Sequence, residues 1–175
     1  MSTITSDPLL AVAKGILYFI LGAIGIAGAG VAIAIPALAI FNGKAIAQLT
    51  QAGAPGYTVW LIMALLAIVV GVLYLAWRFF VHMLRIVRSV EEGDPFVPAN
   101  ADRLTSMAWI MLAINVVSIP VAALGAYIAK LAHDASVNID VGVGGGGIVL
   151  ILTLFVLARV FRKGTEMRAD LEGTV

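Results

Sequence analysis

The chain has 175 residues, of which 62% are hydrophobic and 12% are charged. Since soluble domains are about 45–50% apolar and about 25% charged, this composition excludes an ordinary soluble domain. A net charge of +1 argues against direct nucleic-acid binding driven by bulk charge. The absence of cysteine excludes a disulfide framework, a thiolate metal site and a cysteine nucleophile.

The first apolar stretch predicts a membrane-spanning helix over residues 8–41. Asp7 is a typical N-cap, and Pro8 is a typical first helical residue. No signal-peptide cleavage pattern precedes this stretch, so we expect the helix to be retained. Small residues form a stripe along it: Gly22, Gly25, Ala29, Ala32 and Pro36. Such a stripe lets helices approach closely in lipid, so it predicts either packing within the bundle or a homo-oligomer interface.

The second apolar stretch predicts a helix over residues 58–92, which is longer than a bilayer requires. A short interfacial helix is expected before it, over residues 45–52. The uncharged part of the long helix, Val59–Trp77, spans about 28 Å, which is close to the ~30 Å thickness of the hydrocarbon core. Residues 78–92 continue the helix with apolar and charged side chains, so we expect an amphipathic extension into the cytoplasm.

The third predicted helix covers residues 100–131 and follows a connection that contains Gly93 and two prolines. We expect Gly93 to end the preceding helix and Asn100 or Asp102 to cap the new one. Polar or helix-bending residues occur near its middle: Asn115, Ser118 and Pro120. They predict interhelical hydrogen bonding and a packed kink, or, as the alternative, a polar cavity within the bundle.

The fourth predicted helix covers residues 144–171 and begins in the glycine run Gly144–Gly147. Its uncharged apolar part is too short for a bilayer, so the glycines are expected at membrane depth, either helical or irregular and shielded by protein. A helix start that faces a cavity would favour an anion, although a flexible linker is the simpler interpretation. Beyond Phe161 the helix continues as a charged extension, in which Arg162 and Glu166 are spaced to pair.

The basic residues predict the orientation of the chain. Four spans put both termini and the connection between spans two and three on one side of the membrane. That side has nine of the eleven Lys and Arg residues: Lys14, Arg78, Arg85, Arg88, Arg103, Arg159, Arg162, Lys163 and Arg168. The other side has Lys44 and Lys130. Because cytoplasmic loops are enriched in Lys and Arg, both termini are predicted to be cytoplasmic.

Two segments resemble a known bacterial membrane family. One reads Glu91-Glu92-Gly93-Asp94-Pro95-Phe96, followed by Asn100-Ala101-Asp102-Arg103-Leu104. The other runs from Leu157 to Arg168, before a Thr174-Val175 end. With four spans, they are similar to the family catalogued as "domain of unknown function 2975". The resemblance implies a location in the bacterial cytoplasmic (inner) membrane, but no site residue. Since members are often encoded beside a small helix-turn-helix regulator, it also implies a regulatory pairing.

The residue chemistry predicts no catalytic, cofactor-binding or metal-binding residue. No Asp or Glu lies inside a predicted hydrocarbon segment, which argues against proton-coupled and cation-coupled transporters. His82 and His133 are expected near opposite membrane faces, too far apart to share a haem. His133, Asp134 and Asp140 lack the spacing of a zinc site, so an ordinary polar loop is the simpler interpretation. Without a nucleophile–base pair, an enzyme is the least favoured class.

The sequence as a whole predicts an all-α membrane protein, a single domain of residues 1–175. It would form a four-transmembrane-helix bundle with helices 2, 3 and 4 extended into the cytoplasm. We predict a non-enzymatic accessory or regulatory protein whose first contacts with a cytoplasmic partner are four arginines: Arg85, Arg88, Arg162 and Arg168. The alternative is a small channel or transporter with a pathway near Asn115, Ser118, Pro120, Gly144 and Gly147. Lipid or quinone binding between helices is a third interpretation.

Overall fold

The computed structural model describes residues 8–51, 53–132 and 145–172, and the regular structure within these ranges is entirely α-helical. Five helices follow one another there: α1 (Pro8–Ile40), α2 (Asn42–Gln51), α3 (Thr58–Glu91), α4 (Pro98–Leu131) and α5 (Gly145–Glu172). The all-α class, the short helix before α3 and Pro8 as the first residue of α1 are confirmed. The predicted N-cap Asp7, the glycine Gly144 and the polar segment from His133 to Asp140 lie outside the described residues.

Three of the described helices, α1, α3 and α4, are long and apolar enough to cross a membrane. Large apolar side chains are exposed along them, as at Phe19 and Ile26, which are 77% and 78% exposed. An apolar surface of this extent is unfavourable in water and favourable in lipid. These helices therefore indicate a membrane protein, whereas a crossing by α5 stays a prediction.

A glycine in the left-handed conformation follows both α2 and α3. Gly93 has φ = 82°, which a residue with a side chain adopts only with strain. Its N–H donates to the carbonyl of Val90 at 3.1 Å, and the N–H of Asp94 donates to the carbonyl of Ser89 at 3.0 Å. This pair of bonds is the Schellman motif, which satisfies the last carbonyls of a helix. Gly93 thus ends α3, as predicted.

The helix α4 begins two residues earlier than predicted, at Pro98. A proline is favourable as the first helical residue, because the first N–H groups of a helix have no helical partner in any case. The prediction that Asn100 or Asp102 is the N-cap is therefore wrong, since both lie inside α4. Asn100 is instead fully buried.

The chain divides into two compact units, and the described part of the first comprises residues 8–24, 76–112 and 145–172. One apolar cluster joins α4 to α5 through Leu104, Met107, Ala108, Leu154 and Ala158. Phe79 and Ile86 of α3 pack against this cluster. A second cluster joins α1 to α3 through Leu17, Leu21 and Leu84. The segment of α3 beyond Trp77 therefore packs on neighbouring helices within this unit.

The described part of the second unit comprises residues 25–51, 53–75 and 113–132. Its most buried side chains lie where the chain enters α3: Ala54, Thr58 and Val59. Gly56 lies against α2, because a Cβ at this position would be 3.2 Å from Cγ2 of Ile46. A hydrogen bond between the phenolic groups of Tyr57 and Tyr127 raises the pKa of Tyr57. These contacts fix the connection between α2 and α3.

The small-residue stripe of α1 is not covered by the described parts of the chain. All of its residues are exposed: Gly22, Gly25, Ala29, Ala32 and Pro36. A Cβ at Gly22 would meet no atom within 4 Å. Packing of this stripe within the bundle and its role in a homo-oligomer both stay predictions.

Candidate binding site at the α3–α4 connection

The connection between α3 and α4 is held against α5. The hydroxyl of Thr165 donates to the carbonyl of Phe96 at 3.1 Å, and the guanidinium of Arg168 pairs with the carboxylate of Asp94. Gly164 allows the two segments to approach, because a Cβ at this position would be 2.8 Å from the Phe96 ring. The position of the connection is thus fixed by contacts along one side of α5.

The buried side chain of Asn100 joins α3, the connection and α4. Its amide donates to the hydroxyl of Ser89 at 2.6 Å and to the carbonyl of Pro95 at 2.9 Å. Its carbonyl oxygen accepts a hydrogen bond from Nη1 of Arg103 at 2.7 Å. Because Asn100 is 0% exposed, water does not compete for these bonds. One amide therefore fixes both the chain after α3 and the side chain of Arg103.

Polar contacts also join α3 to α1. Nζ of Lys14 lies 2.6 and 2.7 Å from the two carboxylate oxygens of Glu91. Nη2 of Arg88 donates to the phenolic oxygen of Tyr18 at 2.6 Å. Arg88 and Glu91 of α3 therefore both have a partner on α1. The partners come from a different helix, because α1 packs on the same face of α3.

Two of the four arginines predicted to contact a partner are engaged within the protein. Arg162 pairs with Asp102 of α4 at 3.3 Å, and Arg168 pairs with the connection as described above. The predicted pair of Arg162 and Glu166 is wrong, because Glu166 pairs with Lys163 at 3.1 Å instead. These two arginines hold α5 to its neighbours.

The other two arginines, Arg85 and Arg88, lie on α3 and are exposed. Within the described ranges, the side chain of Arg85 forms no hydrogen bond and no ion pair, and Arg88 donates to the neutral hydroxyl of Tyr18. The positive charges of both groups are therefore available to a ligand or a partner.

The residues of the predicted channel pathway occupy several elements. The hydroxyl of Ser118 donates to the backbone carbonyl of Asn115 at 2.6 Å, and Pro120 lies inside α4. Gly147 lies in α5, which begins at Gly145, so that part of the glycine run is helical. Gly144 lies outside the described residues. A pathway through these residues stays a prediction.

Metal-ligating side chains do not gather in the described ranges, where no group of three or more His, Cys, Asp or Glu is placed to hold a metal ion. His82 is partly buried in α3, and its Nδ1 has no hydrogen-bond partner among the described residues. His133 lies outside those residues, so the predicted separation of the two histidines stays untested.

Sequence reasoning missed the contacts of Lys14, Tyr18 and Asn100. Lys14 offered a signal, because it is the one charged residue of the first apolar stretch, and a charge in such a helix requires a partner. Asn100 offered none, since an Asn near the start of a helix is equally typical of a cap. Its role depends on which helix lies opposite.

Long apolar helices, together with polar contacts gathered at one connection, define the class as an all-helical membrane protein with a charged interhelix site. A family model described as "Protein of unknown function (DUF2975)" matches residues 79–175. This is more than half of the chain, so the chain belongs to this family, and the resemblance noted from its motifs is confirmed. The matched region contains the second part of α3, the connection, α4 and α5. No curated protein and no solved structure matches the chain.

Proposed function

We propose that this protein is a non-enzymatic accessory or regulatory protein of the bacterial cytoplasmic membrane, which binds a cytoplasmic protein through Arg85 and Arg88. The observation behind the proposal is that both guanidinium groups are exposed and form no ion pair among the described residues, whereas Arg162 and Arg168 are paired. Arginine is enriched at the centres of protein interfaces, and its planar fork binds carboxylates with two hydrogen bonds. The expected partner is a helix-turn-helix regulator.

In the proposed arrangement, α5 is the fourth span and both termini are cytoplasmic. Nine of the eleven basic residues then lie on the cytoplasmic side. Arg85 and Arg88 lie about 12 and about 16 Å beyond Trp77 along α3. If Trp77 marks the end of the hydrocarbon core, both arginines are accessible to a cytoplasmic protein.

Crosslinking in intact cells, followed by purification of the full-length protein, tests the partner. We expect the wild type to recover a cytoplasmic protein and the double variant Arg85→Glu, Arg88→Glu to lose it. The control Lys163→Glu reverses one exposed charge on α5 and is expected to keep the partner. Recovery of no cytoplasmic protein by the wild type, or equal recovery by the double variant, would contradict the proposal.

We also propose that a second copy of the chain binds the exposed small-residue stripe of α1. Because the chain has no cysteine, one introduced cysteine reports on this interface alone. Oxidation in membranes is expected to give a disulfide-linked dimer for Ala29→Cys, which lies on the stripe. Ala27→Cys is exposed on a different face of α1 and serves as the control. Equal crosslinking at both positions would remove the support for this interface.

A further inference from the structure

A small pocket opens beside the α3–α4 connection. Its volume is about 310 Å³, which is at the lower end of the ~300–1,000 Å³ range of ligand pockets. It is lined by three arginines and two carboxylates: Arg85 and Arg88 of α3, Arg103 of α4, and Glu92 and Asp94 of the connection. The pocket lies entirely within the first unit and within the region that matches the family.

Among the described residues, the guanidinium groups of Arg88 and Arg103 have only neutral partners, and that of Arg85 has no hydrogen-bond or ion-pair partner. Nη2 of Arg88 donates to the phenol of Tyr18, and Nη1 of Arg103 donates to the side-chain carbonyl of Asn100. Nη1 of Arg103 also lies 3.4 Å from the backbone carbonyl of Arg85. A neutral acceptor orients a guanidinium without neutralising its charge, so all three positive charges remain uncompensated.

The two carboxylates of the pocket do not cancel this charge. Asp94 is already paired with Arg168. Glu92 forms no ion pair among the described residues, so its charge alone opposes the three guanidinium groups. Three cations against one free carboxylate leave an excess of two positive charges. Like charges held in one small space repel each other, and a bound anion relieves this repulsion.

The pocket is also preformed. The buried amide of Asn100 fixes Arg103, and it donates to Ser89, whose hydroxyl in turn donates to the carbonyl of Ile86 at 2.7 Å. The turn at Gly93 fixes the direction in which the chain leaves α3. A ligand therefore binds without first ordering this part of the wall, which lowers the entropic cost of binding.

We propose that this pocket binds a phosphate monoester. A phosphate monoester has a charge of about −1.5 to −2 at pH 7, which balances the excess of two positive charges. Its oxygens accept paired hydrogen bonds from arginine forks, whereas a single carboxylate has neither the charge nor enough oxygens for three arginines. The phosphate belongs either to an anionic lipid headgroup or to a water-soluble ester, and its chemistry in the pocket is the same. The inference does not depend on the proposed protein partner.

Two binding measurements on the full-length protein separate these sources. In the first, glycerol 3-phosphate is titrated by calorimetry into the protein in phosphatidylcholine nanodiscs. In the second, native mass spectrometry compares retention of phosphatidic acid with that of phosphatidylglycerol after reconstitution at equal mole fractions. Saturable binding in the first assigns a soluble ester, and preferential retention of phosphatidic acid in the second assigns a lipid; either result supports the proposal.

Substitutions in the pocket give the expected changes in affinity. Arg85→Gln removes a guanidinium that forms no hydrogen bond or ion pair among the described residues, so it is expected to weaken binding about tenfold without changing the unfolding temperature. Glu92→Gln removes the opposing carboxylate and is expected to strengthen binding several-fold. The control Lys163→Gln changes charge on α5, outside the pocket, and is expected to leave binding unchanged.

Three outcomes would overturn the proposal. The first is that neither measurement detects binding, or that Arg85→Gln does not weaken the binding that is detected. The second is that acetate displaces glycerol 3-phosphate at equal concentration, which would show a general anion site. The third is that phosphate does not bind while Arg85→Gln abolishes capture of the cytoplasmic protein, which would assign these arginines to a protein partner instead.

Discussion

At the scale of single residues, two positions determine the path of the chain between α3 and α4. Gly93 adopts a backbone conformation with φ = 82° that other residues adopt only with strain. Asn100 supplies three hydrogen bonds in a place that water does not reach. Gly93 is required by the local backbone conformation, whereas Asn100 is required because the polar groups around it need hydrogen-bond partners.

Alanine substitution of two glycines in α3 and its C-terminal turn is expected to have opposite effects. Gly93→Ala places a Cβ in the left-handed region and should lower the free energy of unfolding by about 1–2 kcal/mol. Gly71→Ala lies inside α3, where a Cβ meets no atom within 4 Å, and should raise it by about 0.5–1 kcal/mol. Unfolding by sodium dodecyl sulfate, followed by circular dichroism, measures both. Equal shifts in the two variants would contradict a conformational role for Gly93.

Replacement of Asn100 tests the buried polar contacts. Asn100→Ala leaves the Pro95 carbonyl and Arg103 without their partner, so we expect a loss of about 2–3 kcal/mol in the free energy of unfolding. Ser106→Ala removes a hydroxyl that donates to the carbonyl of Asp102 within α4, and its effect should stay within about 0.5 kcal/mol. The same detergent titration measures both variants, and a loss for Asn100→Ala no larger than that of the control would show that these contacts add little.

At the scale of helices, ion pairs of different burial lie between two helices and within one helix. Lys14 and Glu91 connect α1 to α3, and their side chains are 26% and 34% exposed. Lys163 and Glu166 connect one turn of α5 to the next and are 71% and 56% exposed. Since solvent screens the second pair more strongly, the two pairs should differ in coupling energy.

Double-mutant cycles measure that difference. The cycle of Lys14→Gln and Glu91→Gln is expected to give a coupling energy of about 1 kcal/mol, because both oxygens of the carboxylate accept from the ammonium group in a half-buried place. The cycle of Lys163→Gln and Glu166→Gln is expected to give about 0.3 kcal/mol. Detergent titrations of the single and double variants provide the energies. A larger coupling energy for Lys163 and Glu166 would contradict the expectation that the more buried pair of Lys14 and Glu91 interacts more strongly.

At the scale of the whole molecule, the role of α5 determines the topology. Three described helices are long and apolar enough to cross a membrane, and three spans would put the termini on opposite sides. With α5 as a fourth span, the termini would lie on the same side, as the distribution of basic residues predicts.

Cysteine labelling of intact cells distinguishes the two topologies, because the chain contains no cysteine of its own. With four spans, we expect an impermeant maleimide to label Ser136→Cys and to leave Ser2→Cys and Thr174→Cys unlabelled. All three positions should be labelled after the membrane is permeabilised. Labelling of Thr174→Cys in intact cells would show that α5 does not cross.

The sequence by itself determined the helical class, the starts of α1 and α3, the end of α3 at Gly93 and the family. These features depend on local properties: hydropathy over a helix length, the fixed φ of proline and the freedom of glycine. They require no knowledge of which helices are neighbours.

Only the tertiary structure determined the polar contacts. The expected pair along one helix, Arg162 with Glu166, gave way to Arg162 with Asp102, and Lys14 of α1 pairs with Glu91 of α3. Spacing along a helix shows which side chains are able to meet within it, but a partner on a neighbouring helix competes whenever the helix faces turn toward each other. For the same reason, the excess charge of Arg85, Arg88 and Arg103 depends on the packing of α3 beside α4, which spacing along one helix does not predict.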